Sequence, residues 1–309
     1  GGGGGSGVGG LGGGARWEEA GWEEQGRGAE GVVGRGKRRG GGRCSTCGII
    51  YISWSSEPET TYEKQYFSEQ YKKQYGKTYL EDFDFIKKNS VHRVMEINSA
   101  LRIANDYKPS VLDIGCAYGP FLSAANDMGW QVFGTDIAKD AIEYVQSKLL
   151  FPAVCANFPK FDAGTEFGIN KFDAVTMWFV IEHFSNLKEV LSSVSNILKE
   201  GGVFAFSTPS GSGVSAKYNR KSFFESSPSD HYTIWEPEKV SKILKKFGFS
   251  VVKIVSTGHH PERFPIVVNN GWTSKEFKFK IFNKISKTLK LGDTFEVYCR
   301  KDKTQGEEK

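Results

Sequence analysis

The residues able to do chemistry come in three groups. Residues 111–121 read VLDIGCAYGPF, in which Asp113 closes a short apolar run and Gly115, Ala117 and Gly119 follow at alternate positions before the helix-like FLSAANDMG. Glycines in such a turn let a ligand approach the backbone without a Cβ in the way. The unpaired N–H groups at the start of the next helix favour an anionic group in front of them. Pro120 suits the first helical position and Gly129 the position just past the end. The second group is Asp136, near the end of QVFGTDI and about 23 residues after Asp113, where an acid can accept two ribose hydroxyls. The third is Glu182-His183, which ends the run WFVIEH begun by Trp178, together with His231 in SPSDHYTIW. Histidine titrates near ~6.5 and is suited to proton transfer near neutrality, so His183, Glu182 and His231 are the candidate acid–base residues.

Asp113 decides which ligand suits the glycine turn. A dinucleotide site reads G-x-G-x-x-G and must accept a pyrophosphate, whereas the order here is D-x-G-x-A-x-G. An acid two residues before the first glycine would repel a pyrophosphate and suits a ligand with a cationic group. S-adenosylmethionine, with an ammonium, a sulfonium and a carboxylate, has that chemistry. The ordered set VLDIGCAYG, VFGTDI, FDAVTMWFVIEHF, LKEGGVFAFSTP and GFSVVKI resembles the class I S-adenosylmethionine-dependent methyltransferases. Within them it is similar to the group of the ubiquinone-biosynthesis O-methyltransferases and to bacterial small-molecule methyltransferases with an N-terminal zinc knuckle, over roughly residues 44–301. The resemblance implies an α/β, Rossmann-like seven-stranded sheet with helices on both faces and the last strand antiparallel. It implies S-adenosyl-L-methionine as cofactor, held by Asp113, Gly115, Ala117, Gly119, Asp136, Ile137, Asn157 near the adenine, and Trp178.

The elements that must position these residues alternate along the chain as strand and helix, which implies parallel strands with right-handed crossovers. Ala138, Ala141, Ile142 and Val145 line a helix after Asp136, and PAVCANF reads as the third strand. Leu187, Val190, Leu191, Val194, Ile197 and Leu198 mark another helix, stopped by Gly201-Gly202. The Gly/Ser-rich stretch 207–225 reads as a substrate loop, DHYTIW as a further loop, and GFSVVKIVS and DTFEVYCRK as the last two strands. Upstream, Val91, Val94, Met95, Ile97 and Leu101 give one helix its apolar face, and Tyr62, Tyr66, Phe67, Tyr71 and Tyr75 mark an aromatic cover. Residues 44–107 therefore form an N-terminal cover that begins with Cys44-Ser-Thr-Cys47, half of a zinc knuckle. Residues 108–301 form the methyltransferase domain, and 302–309 a polar tail.

Composition bounds the rest. Of the 37 glycines roughly half precede Cys44, so residues 1–43 are expected to be a disordered leader, unable to offset its ordering entropy. The net charge of +5, about two units of it in the leader, does not call for nucleic acid. The five cysteines read as reduced thiols of a cytoplasmic protein, and no apolar run approaches the ~20 residues of a membrane span. Residues 273–290, with Phe277, Ile281, Phe282, Ile285 and Leu289 among six lysines, form a basic amphipathic helix, either packed with a solvated lysine face or resting on a membrane. The partner is a small-molecule acceptor, methylated on a hydroxyl oxygen. Alternatives are C-methylation of a nucleotide sugar and a non-catalytic cofactor-binding protein. A metal is not expected. Relatives are implied to hold one through E-V-L-E-H, and here Phe179 replaces the first acid.

Overall fold

The computed structural model of the chain describes residues 39–45, 47–54, 71–72, 76–102, 107–275 and 277–303. The glycine-rich residues 1–38, Tyr62, Tyr66, Phe67, Tyr75 and the tail beyond 303 lie outside the described residues. Five parallel strands build most of the main sheet. They are β3 (Ser110–Ile114), β4 (Gln131–Asp136), β5 (Ala153–Cys155), β6 (Phe172–Trp178) and β7 (Leu198–Pro209). Two more, β9 (Phe249–Thr257) and β10 (Thr294–Lys301), complete the order β5-β4-β3-β6-β7-β10-β9. β10 runs antiparallel to both of its neighbours, which gives the expected seven-stranded sheet. Every residue of β3 is buried, as a parallel strand covered on both faces requires. Chain order reverses between β3 and β6, and a ligand crevice opens at such a point beyond the carboxyl ends of the strands.

Helices occupy both faces. α1 (Phe83–Leu101) and α2 (Pro120–Asp127) pack with Val111, Val132 and Tyr298 in one core. α3 (Lys139–Tyr144), prolonged by a π turn over Val145–Leu149, buries Ala141, Ile142 and Val145, and Ala138 just before it is buried too, as the sequence pattern predicts. On the other face α4 (Ala163–Phe167), α5 (Leu187–Ile197) and α8 (Pro237–Lys245) cover Leu112, Phe172, Phe204 and Phe206. α6 (Val214–Tyr218) and α7 (Arg220–Ser226) lie between β7 and β8 (Thr233–Ile234), and α9 (Pro265–Asn270) and α10 (Phe277–Thr288) between β9 and β10.

Several expectations are corrected. The strand β1 (Arg39–Arg43) pairs with β2 (Ile50–Trp54) in an antiparallel hairpin, and β2 pairs with β8 in a second, three-stranded sheet. Arg39–Arg43, expected to be part of the leader, is thus a strand: its glycines keep their N–H and C=O groups for the ladder, and pairing with β2 supplies what the local pattern lacks. Stretch 207–225 contains α6 and all but the last residue of α7, and DHYTIW contains β8. Helix α5 ends at Ile197, before Gly201-Gly202, which fall within β7. The buried face of α1 is Ser90, Val94, Ile97, Ala100 and Leu101, leaving Val91 39% and Met95 58% exposed. Both faces fit a 3.6-residue period, and packing on α2 selects between them.

Arg43 anchors the hairpin to the body through Glu236, with guanidinium–carboxylate bonds of 2.5 and 2.8 Å, while Ile50, Ile52 and Ile234 form its small core. A chain starting at Lys37 should therefore unfold at the temperature of the full chain. One starting at Ser55 loses about 2 kcal/mol or more of isoleucine burial and should melt about 4–8 °C lower in calorimetry. Equal melting of both would mean that the hairpin contributes nothing to stability.

Candidate active site

The turn after β3 is shaped by three residues of positive φ, Gly115 (74°), Ala117 (47°) and Gly119 (80°). A Cβ at Gly115 would run into Val180, the residue that follows β6 and Phe179, so glycine here permits the two strand ends to converge. Asp136 fixes the turn from the neighbouring strand. Its Oδ2 accepts the Ala117 N–H and its Oδ1 the Ala138 N–H, both at 2.9 Å. The Ile137 N–H also pulls on this carboxylate, and a carboxylate has about four acceptor sites in all. Burial raises the pKa of this carboxyl against the pull of those N–H groups.

The turn opens into a cavity of about 900 Å³ lined by Asp113, Gly115, Ala117, Asp136, Ile137, Asn157 and Trp178, and also by Glu182, His183 and His231. Ten of the sequence-derived site residues thus share one cavity. Gly119 is the exception. It caps α2 at a left-handed φ and packs towards Val145 and Leu149, so it serves the turn and not the wall. Asp113 is buried, with Oδ1 accepting the Thr176 hydroxyl at 2.6 Å. Burial pushes its pKa up to about 7, the mark of a carboxylate lacking a full counter-charge.

Sequence reasoning missed Arg93. It comes from α1, stands 4.2 Å from the centre of the Trp178 ring, donates to Glu296 at 2.8 Å and lines the cavity. The available signal was a lone arginine within the apolar repeat of that helix. Trp178 Nε1 is buried with no hydrogen-bond partner, so an indole donor and a guanidinium lie together on one wall. An acceptor group such as a carboxylate would satisfy both.

The opposite wall is assembled from two distant segments. After β6, Phe179 adopts a φ of 59°, a conformation costly for a non-glycine residue, and its N–H donates to the Ser207 carbonyl and hydroxyl. A 3₁₀ turn over Ile181–His183 follows. Nδ1 of His183 lies 3.0 Å from the Asp230 carbonyl and 3.3 Å from Asp230 Oδ2. Both are acceptors, so Nδ1 carries the proton and Nε2 holds the lone pair of the neutral ring. Burial lowers the His183 pKa, but the Asp230 hydrogen bond and the charges of Glu182 and Asp230 outweigh it and leave the pKa raised. Glu182 is buried and pushed up to about 7 by desolvation, with His183 and Thr208 opposing. Its Oε2 makes no hydrogen bond of good geometry. The His231 ring stands edge-on to His183 with centroids 4.8 Å apart. Asp230, also missed, is announced only by its adjacency to His231.

Donor atoms of Glu182, His183 and His231 lie within 4.8 Å of one another. The substitution at Phe179 therefore leaves three possible metal ligands, because the fold brings in His231 from 48 residues downstream. Cys44 and Cys47 face each other in the hairpin turn, with the Cys47 N–H donating to Cys44 Sγ at 3.4 Å. Among the described residues no further pair of donors joins them into a four-ligand set.

The family described as methyltransferase domain matches residues 88–254, more than half of the chain. Ubiquinone biosynthesis O-methyltransferase of Colwellia psychrerythraea is 28% identical over 104 residues, covering 33% of this chain and 42% of that protein. Its counterpart in Glaesserella parasuis is 33% identical over 108 residues, covering 32% and 44%. The chain thus matches under half the length of these relatives. Among solved structures, an S-adenosylmethionine-dependent methyltransferase from Archaeoglobus fulgidus aligns with TM-score 0.50 and 19% identity, over 75% of this chain and 98% of that one. Magnesium protoporphyrin IX methyltransferase from Synechocystis, solved with bound S-adenosylhomocysteine, aligns with TM-score 0.50 and 13% identity, over 77% and 98%. These two likenesses concern the fold.

Two binding outcomes follow from the buried acids. Asp136→Ala should weaken S-adenosylmethionine binding ~10- to 100-fold by calorimetry, through loss of roughly 1.5–3 kcal/mol of charge-assisted hydrogen bonding. An unchanged affinity would remove Asp136 from the site. Asp113 must be ionised to pair with an ammonium, and its pKa is about 7. Affinity should therefore fall as the pH drops from 7.5 to 5.5, by at most about tenfold per unit, and Asp113→Asn should flatten that dependence.

Proposed function

The chain belongs to the methyltransferase domain family, and we propose that it transfers a methyl group from S-adenosylmethionine to a hydroxyl oxygen of a small acceptor, with His183 as general base. The observation that carries this reading is the Asp230–His183 pair, 3.0 and 3.3 Å apart, in the wall of the cavity that also contains Asp113 and Asp136. An aspartate fixing Nδ1–H of a cavity-lining histidine, so that Nε2 is the basic nitrogen, is the arrangement of an oriented base.

The cofactor half suits the expected ligand. Asp113 would hold the ammonium, Arg93 and Trp178 Nε1 the carboxylate, Asp136 the ribose hydroxyls, and Ile137 and Asn157 the adenine edge. Bound S-adenosylmethionine supplies an electrophilic methyl group on a sulfonium. The protein then has to hold the acceptor in line and remove one proton. His183 takes the hydroxyl proton at Nε2, and the carboxylates of Asp230 and Glu182 stabilise the imidazolium that results. His231, edge-on to His183, orients the acceptor from the other side. Phe158, Phe179, Phe184 and Tyr232 line the same cavity and suit an acceptor with an apolar or aromatic body.

A second reading has its own support, the approach of Glu182, His183 and His231 within 4.8 Å. Those three would hold a divalent cation, which would lower the pKa of an acceptor hydroxyl by direct ligation. C-methylation and cofactor binding without turnover remain the alternatives to both.

Turnover of labelled cofactor with a panel of phenols and aliphatic alcohols tests these readings. His183→Ala should lower kcat ~10²- to 10⁴-fold while leaving cofactor affinity within about twofold. Because the folded pKa of His183 is raised, kcat should climb with pH along a limb lying above ~6.5. Asp230→Asn removes a charge that raises it and should move the limb to lower pH. Full activity in His183→Ala would remove it as the base. Activity lost on exhaustive chelation and restored by a divalent cation would transfer the role to the metal cluster.

A further inference from the structure

We propose that α10 and the chain around it form an interfacial surface that docks on an anionic lipid bilayer, independently of which acceptor is methylated. Residues 265–292 contain six lysines, Lys275, Lys278, Lys280, Lys284, Lys287 and Lys290, and one acid, Glu276. Their excess of positive charge is as large as the +5 of the entire chain, while the glycine-rich leader is weakly basic and the rest of the chain weakly acidic, so the segment is the most basic part of the protein. None of the six lysines makes an ion pair with a described residue. Lys278 instead stands 4.8 Å from the centre of the Trp272 ring.

The helix has two apolar faces, and folding uses one. Phe279, Phe282 and Ile285 pack with Val214, Phe264, Val267 and Leu291, and Ser286 is fully buried beside them. At 3.6 residues per turn, Phe277, Ile281 and Lys284 lie on the opposite stripe, flanked by Lys280 and Lys287. Phe277 is 76% exposed and Ile281 41%, and Leu289 just past the helix is 61% exposed. On α9, whose Val267 belongs to the same small core, Ile266 and Val268 are exposed as well.

Scattered exposed apolar residues need no explanation, but an aromatic and an aliphatic stacked one turn apart between lysines on an otherwise satisfied helix do. Nucleic acid or an acidic protein surface would match the lysines and leave Phe277 and Ile281 in water. The headgroup region of an anionic bilayer takes both, with the ammonium groups among lipid phosphates and the apolar side chains at the acyl boundary. The surface also connects to the catalytic cavity. Asp293, two residues after the last of the small-core positions, accepts from the Ser215 N–H at 2.8 Å and from Arg263 at 2.7 Å, and the next residue, Thr294, lines the cavity.

The test is sedimentation of the full chain with vesicles of phosphatidylglycerol and phosphatidylcholine in equal parts, against vesicles of phosphatidylcholine alone. Binding to the anionic vesicles should be at least about tenfold tighter and should weaken as salt rises. The triple change Lys280→Glu, Lys284→Glu, Lys287→Glu should cost at least about tenfold in partitioning, and Phe277→Ser with Ile281→Ser about tenfold. Both variants alter exposed positions and should keep the wild-type melting temperature and cofactor affinity. Absence of preference for anionic vesicles would overturn the proposal, as would vesicle binding untouched by the Phe277 and Ile281 changes, which would assign the lysines to a purely ionic partner. A dimer in sedimentation equilibrium that dissolves on the same apolar changes would assign the face to a second copy instead.

Discussion

The carboxylate of Asp136 is the joint on which the site depends. It sits at the carboxyl end of β4 and accepts N–H groups from Ala117 in the preceding turn and Ala138 at the start of the next helix. Two loops that leave adjacent strands are thereby held by one side chain. Gly115 and Gly119 take left-handed φ values freely, but that of Ala117 is tolerable only in a turn over-determined in this way. The turn in turn fixes the start of α2 and the floor of the cavity. The chain can pass so close to Val180 only because residue 115 has no side chain.

Around that joint the structure concentrates uncompensated charge. Asp113, Asp136 and Glu182 are all buried and all have raised pKa values, with desolvation as the leading cause. Burying a carboxylate costs several kcal/mol unless it is paired, and three of them around one cavity are a burden that folding alone does not explain. A cationic ligand beside Asp113, and a proton passing to His183 beside Glu182, would each relieve part of it. Arg93 and the unpartnered indole N–H of Trp178 form the complementary positive side. The cavity is thus polarised, with acids along the sheet end and donors on the α1 side, as a zwitterionic ligand would require.

The acceptor wall depends on longer connections. The Tyr232 N–H donates to the Glu182 carbonyl at 2.8 Å while the Tyr232 carbonyl accepts the Ile52 N–H at 2.9 Å. The residue next to His231 is therefore clamped between the 3₁₀ turn that carries Glu182 and His183 and the N-terminal hairpin. Arg43 fastens that hairpin to Glu236, just past β8. The hairpin lies outside the matched methyltransferase domain, yet it supports the strand that presents Asp230 and His231. Stability of the small sheet and geometry of the dyad are consequently coupled.

Local pattern made much of this legible in the sequence. The strand–turn–helix around Asp113, the acid at the end of β4 and the Glu182-His183 pair after β6 are each encoded within a dozen residues. There the apolar run, the glycine that accommodates positive φ and the polar residue at the strand end reinforce one another. The alternation of strand and helix then leaves little choice of topology, since parallel strands demand right-handed crossovers. What sequence could not decide was selection among equivalent local patterns and the meeting of distant ones. Val91 and Met95 fit a helical stripe as well as Ser90 and Ala100 do, and contact with α2 settled which stripe is buried. Arg93, 85 residues from Trp178, gains its place in the cavity only because α1 folds across the sheet end. Asp230 and His231 reach His183 only through β8, a two-residue strand too short to leave a period and stabilised by hydrogen bonds to a hairpin more than 180 residues upstream. Residue type and spacing fixed the local geometry of each functional group; which groups share a cavity was decided by long-range backbone pairing, which carries no side-chain signature in the sequence.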